Sequence, residues 1–172
     1  MILDEIVNHK KEEILLRKTA TSLRELEEQF AGMPAPPDFR AALRKPGISV
    51  IAEIKRRSPS RGDILPGVDA VEIAVVYEQA GARALSVLVD NKYFGGSLAD
   101  LSKVGNHTGL PCLCKEFIID PYQIYEARAA GAAAVLLIVR ILTDNALRSF
   151  LSEIEGLGMA ALVETHNEEE VK

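Results

Sequence analysis

Twice along this chain a helical segment closes on an Ala-Gly-Ala turn and runs straight into an apolar stretch. The first instance is Tyr77-Glu78-Gln79-Ala80-Gly81-Ala82-Arg83-Ala84, and the second pairs Tyr125-Glu126 with Ala129-Ala130-Gly131-Ala132-Ala133-Ala134. The glycine stands where a left-handed residue ends a helix, so the repeated unit is helix, cap, strand. The Val/Leu/Ile-rich strands that follow are too apolar to carry a solvated face, as expected of parallel strands covered by helices. Such alternation gives either a barrel or a doubly wound sheet. No G-x-G-x-x-G segment follows the first strand, which argues against a doubly wound nucleotide-binding fold.

Periodicity places strands at 49–55, 84–90, 111–117, 134–141 and 160–165, separated by amphipathic helices at 70–80, 98–106, 121–130 and 145–156. The region 1–47 reads differently. Leu3, Ile6, Val7, Ile14 and Leu15 recur at helical spacing, Ser22 and Glu25 form a capping box for a second helix, 33–37 breaks it, and a short helix around Phe39 to Leu43 ends at Pro46-Gly47. The reading therefore divides the chain into a helical extension, 1–47, and a unit of alternating strands and helices, 48–172.

The first strand carries charge where apolar neighbours mark an interior. Glu53 and Lys55, two apart, share one face between Val50, Ile51 and Ile54. Desolvating opposite charges is costly, so they point to a site that uses them, the alternative being a solvated pair on an edge strand. Asp90 and Asn91 end the second strand, Lys115 and Glu116 the third, Arg140 the fourth and Glu164 the fifth. In (β/α) barrels the active site is built from such carboxyl ends and the loops after them.

With 172 residues, 48% hydrophobic and 26% charged, the chain has core enough for one globular domain and lacks the signature of disorder. A net charge of -5 disfavours nucleic acid or an anionic membrane as the partner, while Arg56, Arg57 and Arg61 form a local patch able to hold an anion. No apolar run reaches membrane-span length and the first residues lack a signal-peptide pattern, so the expected compartment is the cytoplasm. Cys112 and Cys114 are too close for an ordinary disulfide and too few for a metal site, and read as free core thiols.

These residues resemble the indole-3-glycerol phosphate synthase family over nearly the whole chain. The resemblance is carried by Ile51-Ala52-Glu53-Ile54-Lys55-Arg56-Arg57-Ser58-Pro59-Ser60, by Leu85-Ser86-Val87-Leu88 through Lys92-Tyr93-Phe94-Gly95-Gly96-Ser97, and by Leu113-Cys114-Lys115-Glu116-Phe117-Ile118-Ile119-Asp120. Leu136-Leu137-Ile138-Val139 and Leu162-Val163-Glu164 continue it in order.

The resemblance implies an α/β (β/α)8 TIM barrel of the ribulose-phosphate-binding type. It implies a carboxy-lyase of tryptophan biosynthesis that closes an indole ring with loss of carbon dioxide and water, without metal or organic cofactor. By the same resemblance Lys115 is the general acid, and Glu164, Glu53 and Lys55 surround the dehydration step. Ser58 lies near the phosphate, and Phe94, Phe117 and Leu136 form the slot for the aromatic ring, where ordinary core packing is the alternative for all three. The bland alternative for Lys115 is an ion pair with Glu116 or another carboxylate. The helical extension would lie over the catalytic face.

Glu116 and Val89 stand where the family often has Asp and Thr. A full barrel takes about 250 residues, so Lys172 falls within the helix after the fifth strand, and the family's remaining three strands lie outside this sequence. The expectation is a barrel portion of low activity by itself. Competing readings are a non-catalytic piece that self-associates through unpaired strand edges, and another ribulose-phosphate barrel enzyme such as a phosphoribosyl isomerase.

Overall fold

The computed structural model describes residues 2–171. In chain order the elements are α1 (Ile2–Ala20), α2 (Leu23–Phe30), α3 (Phe39–Leu43), β1 (Ile51–Ile54), β2 (Arg57–Ser58), β3 (Gly62–Asp63), α4 (Ala70–Gln79), β4 (Ala84–Leu88), α5 (Asn91–Phe94), α6 (Leu98–His107), β5 (Cys112–Lys115), α7 (Pro121–Ala129), β6 (Ala134–Ile138), a 3-10 turn (Val139–Ile141), α8 (Asp144–Gly156) and β7 (Ala160–Glu164).

Five strands form one parallel sheet in the order β1-β4-β5-β6-β7, so each major strand pairs with the next in sequence. A doubly wound sheet reverses its order at a switch point; this one does not. The two faces are also unlike. Helices α4, α6, α7 and α8 all contribute to one apolar layer with Ile54, Leu85, Val87, Cys112, Cys114, Val135 and Leu137 of the strands. The other face packs Leu113, Ala134, Leu136, Ile138 and Ala160 on one another, with Phe39 of α3 buried among them. Helices outside and strand side chains inside is the layering of a barrel wall. The five strands are a portion of that wall and do not close on themselves.

Local chemistry explains the regularity. Gly81 and Gly131 have φ of +89° and +85°, and a third cap, Gly158 at +75°, precedes β7. After each glycine the next amide reaches back into the helix, from Ala82 to the Tyr77 carbonyl, Ala132 to Ala127 and Met159 to Ile154. This is the Schellman arrangement, which satisfies the helix-end carbonyls and aims the chain at the sheet. At the other helix ends Asp69, Ser97, Asp120 and Thr143 accept from the first-turn amides. Ser22 and Glu25 form the reciprocal capping box read from the sequence.

Some expectations shift. The strands are shorter than their apolar runs, and the fourth run turns into the 3-10 segment before Arg140. Val50, taken as interior, is 51% exposed, and Leu15 of the α1 stripe is 66% exposed. The buried stripe of α1 is instead Ile6, Lys10 and Ile14. Helices α1 and α2 dock on α7 through Ile14, Leu26 and Tyr122, while Phe39 of α3 is buried against Leu113 and Ala134 on the inner face of the sheet. The two free thiols lie in the helix-side layer, where burial pushes Cys112 up to about 12 and Cys114 well above its usual value. Among the described residues no helix is long and apolar enough to cross a membrane.

Candidate active site

The carboxyl ends of β1, β4, β5, β6 and β7 surround a cavity of about 180 Å3 lined by Glu53, Lys55, Leu88, Phe94, Lys115, Glu116, Phe117, Leu136, Ile138 and Glu164. Pairing registers explain the convergence. Glu53 lies beside Ser86 of β4, Leu88 beside Lys115 of β5, and Ile138 beside Glu164 of β7. Residues two apart on a strand face the same way, so Glu53 and Lys55 both turn inward.

Glu53 is the electrostatic centre. One carboxylate oxygen accepts from Lys55 Nζ at 2.7 Å and the other from Lys115 Nζ at 3.3 Å. Burial alone would raise the Glu53 carboxyl, but the Lys55 hydrogen bond and the Lys115 charge outweigh it and hold the group below the usual carboxylate range. Both lysine side chains keep about a third of their surface open, 34% for Lys55 and 30% for Lys115. The partner of Lys115 is thus Glu53, sixty-two positions away, and not the adjacent Glu116. Glu164 sits across the cavity with its carboxylate 3.2 Å from His166 Nε2.

The apolar wall is aromatic. The rings of Phe94 and Phe117 lie 5.9 Å apart at 36°, a tilted contact, with Leu136 on the cavity lining beside them. Phe94 belongs to α5, a single turn capped by the Asp90 carboxylate on Tyr93 N and closed by Gly95 at φ +68°. The next residue, Gly96, passes directly over the end of β4. A Cβ there would stand 1.9 Å from the Leu88 carbonyl oxygen, so only glycine lets the loop lie this close.

Of the residues singled out from the sequence, Ser58 lies apart from the cavity. It sits in the β2-β3 hairpin, where its hydroxyl accepts from Arg61 N at 3.2 Å and faces Ser60 Oγ at 3.4 Å. The basic loop is largely committed to structure. Arg56 forms a two-point bond with Asp100 and also donates to the Val68 and Gly95 carbonyls, and Arg57 donates to the Asn91 and Lys92 carbonyls. Among the described residues, the Arg61 guanidinium is the one of the three with no hydrogen-bond or ion-pair partner, side-chain or backbone. Arg140 pairs with Glu170 at 3.6 Å outside the cavity, and Asn91 donates to Gly96 O at 3.4 Å.

Asp90, expected at the site, is completely buried and faces Lys10 of α1. Leu88 and Ile138 were missed as wall residues because they look like ordinary strand interior. Lys10 was missed too, although its place midway between Ile6 and Ile14 in an i, i+4 row was a readable signal. No cluster of three or more His, Cys, Asp or Glu side chains suited to a metal ion occurs among the described residues.

Sequential parallel strands with helices on one face and charged strand ends around a cavity define a protein of the (β/α)-barrel class. Fold comparison agrees: a mandelate oxidase mutant with (S)-mandelic acid superposes over 68% of this chain and 42% of its own, with TM-score 0.52 and 16% identity. MenC from Desulfotalea psychrophila covers 97% of this chain and 44% of its own at TM-score 0.52 and 11% identity. These likenesses concern the fold alone.

Sequence comparison goes further. Residues 3–172 match the profile of indole-3-glycerol phosphate synthase. The chain is 50% identical over 169 residues to the indole-3-glycerol phosphate synthase of Mycolicibacterium gilvum and 46% identical to that of Saccharopolyspora erythraea. Both alignments take in 98% of this chain, and 62% and 63% of those relatives respectively. The chain belongs to the indole-3-glycerol phosphate synthase family, and it spans a little under two thirds of the length of these relatives.

Proposed function

We propose that the protein of which these residues form the first five barrel units makes indole-3-glycerol phosphate from 1-(2-carboxyphenylamino)-1-deoxyribulose 5-phosphate. The observation that carries this reading is one carboxylate, Glu53, bridging two lysine ammonium groups beside a tilted pair of phenylalanine rings. Cations next to a flat apolar slot suit a substrate with an aromatic ring at one end and anionic groups along it. The names of the relatives point to the product, and the substrate and ring closure are those that the family resemblance implies.

In this reading the aromatic ring lies in the slot of Phe94, Phe117 and Leu136. Its carboxylate-bearing carbon attacks the ribulose carbonyl carbon, forming the new C–C bond. Lys115 delivers a proton to the carbonyl oxygen as charge develops there, and Glu53 holds that ammonium in position. The bond to the carboxylate then breaks, releasing carbon dioxide and returning its electron pair to the ring. Elimination of the new hydroxyl as water requires one proton delivered and one removed, work for which Glu164, Glu53 and Lys55 are suitably placed. Lys55 also meets an anionic group of the substrate, and Ser58 in the hairpin beyond β1 meets the phosphate.

Product fluorescence from the full-length protein tests this. Lys115→Ala is expected to lower kcat by about 10²- to 10⁴-fold, the range for loss of a general acid. A wild-type protein inert toward this substrate, or a Lys115→Ala variant as fast as wild type, would overturn the assignment.

A further inference from the structure

Lys10 faces three carboxylates: it donates hydrogen bonds to Glu13 and Glu116 and forms a close ion pair with Asp90, whose facing oxygen accepts no hydrogen bond among the described residues. Its ammonium, 0% exposed, lies 2.7 Å from Glu13, 2.9 Å from Asp90 and 3.1 Å from Glu116. Glu13 is on the same helix, but Asp90 follows the end of β4 and Glu116 follows the end of β5. Each of these two uses only one oxygen on the lysine. The second oxygen of Glu116 accepts from the backbone amide of Phe117 at 2.8 Å, and the second of Asp90 accepts from that of Tyr93 at 2.7 Å. The Tyr93 amide belongs to the α5 turn that carries Phe94. Two struts thus run from a single buried ammonium, one to each aromatic wall of the cavity.

We propose that Lys10 is a positioning residue that sets the separation of Phe94 and Phe117 and thereby the fit of the aromatic end of the substrate. The inference rests on the functional reading above. Helix α1 grips the same turn from outside as well, since the Tyr93 hydroxyl donates to Glu5 at 3.1 Å and the His9 ring meets Tyr93 edge-on at 6.0 Å. Neither outer contact reaches the Phe117 side. Among the described residues it is Lys10 that joins both walls, and Lys115 stands one residue before the Glu116 strut.

A purely structural role and a positioning role separate in the kinetics. Loss of folded protein lowers the apparent kcat and leaves KM alone, whereas a widened slot raises KM in the molecules that remain folded. The test is steady-state turnover of 1-(2-carboxyphenylamino)-1-deoxyribulose 5-phosphate by the full-length protein, with thermal unfolding measured alongside. For Lys10→Met, KM should rise by about tenfold, consistent with the effect of displacing binding groups by a fraction of an ångström to an ångström. Asp90→Asn keeps the oxygen that caps α5 and replaces the oxygen facing Lys10 with an amide NH2, so the ion pair is lost and a donor faces the ammonium. It should raise KM about threefold by the same logic, and it serves where Lys10→Met does not fold. Wild-type KM in these variants, with kcat following the folded fraction, would overturn the proposal. An inert wild type would instead overturn the functional reading, and the proposal with it.

Discussion

Lys115 and Lys10 meet carboxylates at the same end of the sheet, and the two clusters touch the chain at adjacent positions, Lys115 and Glu116. They differ in water. Lys115 keeps 30% of its side-chain surface open and holds a single carboxylate oxygen at 3.3 Å. Lys10 has none open and is surrounded by three carboxylates. An ammonium in the first setting is reachable from the cavity; in the second it is enclosed. Burial would push Lys10 down, but the Glu116 charge, the bond to Glu13 and the close Asp90 carboxylate outweigh it and raise the group to about 12. Glu116, crowded by burial and only partly relieved by Lys10, is raised above the usual carboxylate range. One residue type at two depths gives a half-open lysine on one carboxylate and a fully buried one among three, the contrast on which the two proposed roles rest.

The largest effect comes from removing the buried lysine. Lys10→Met leaves buried Asp90 without its cation and Glu116 with only the more distant Arg17 at 4.0 Å, and should cost about 3–5 kcal/mol, measured by denaturant unfolding. Because the folded-state value of Lys10 is raised, its contribution is fully present below 10.5 and is lost as pH climbs through about 12. The gap between wild type and variant should therefore hold steady at neutral pH and narrow only in strong alkali. A gap that is already closing near pH 8 would break the comparison. Gly96→Ala probes the outer cluster's scaffold: its Cβ would overlap the Leu88 carbonyl, and forced repacking of this kind costs about 1–3 kcal/mol. The expected signature is a lower midpoint together with a displaced α5 turn, seen as altered Tyr93 environment by near-ultraviolet circular dichroism.

Much of this was readable in advance. The helix-glycine-strand unit, the inward Glu53 and Lys55, and the strand-end Lys115 and Glu164 follow from period, caps and charges set among apolar neighbours. What escaped did so for physical reasons. The β2-β3 hairpin is made of two-residue strands and α5 of one turn, both too short for periodicity to register. The place of Lys10 between Ile6 and Ile14 hints at burial, but two of its three carboxylate partners lie 80 and 106 positions away, and no local pattern announces those. Asp90 and Glu116 were correctly placed at strand ends, yet sequence could not tell which side of the strand they would serve. Ser58 lies in the hairpin after β1, outside the ring cavity.

Competitive acylation of lysines in the native full-length protein, read by mass spectrometry with and without substrate, tests the division of labour most directly. The account predicts that Lys115 and Lys55 react and are protected by the bound substrate, while Lys10 stays unmodified until the protein unfolds. Labelling of Lys10 at the rate of Lys115, or a Lys115 indifferent to substrate, would contradict it.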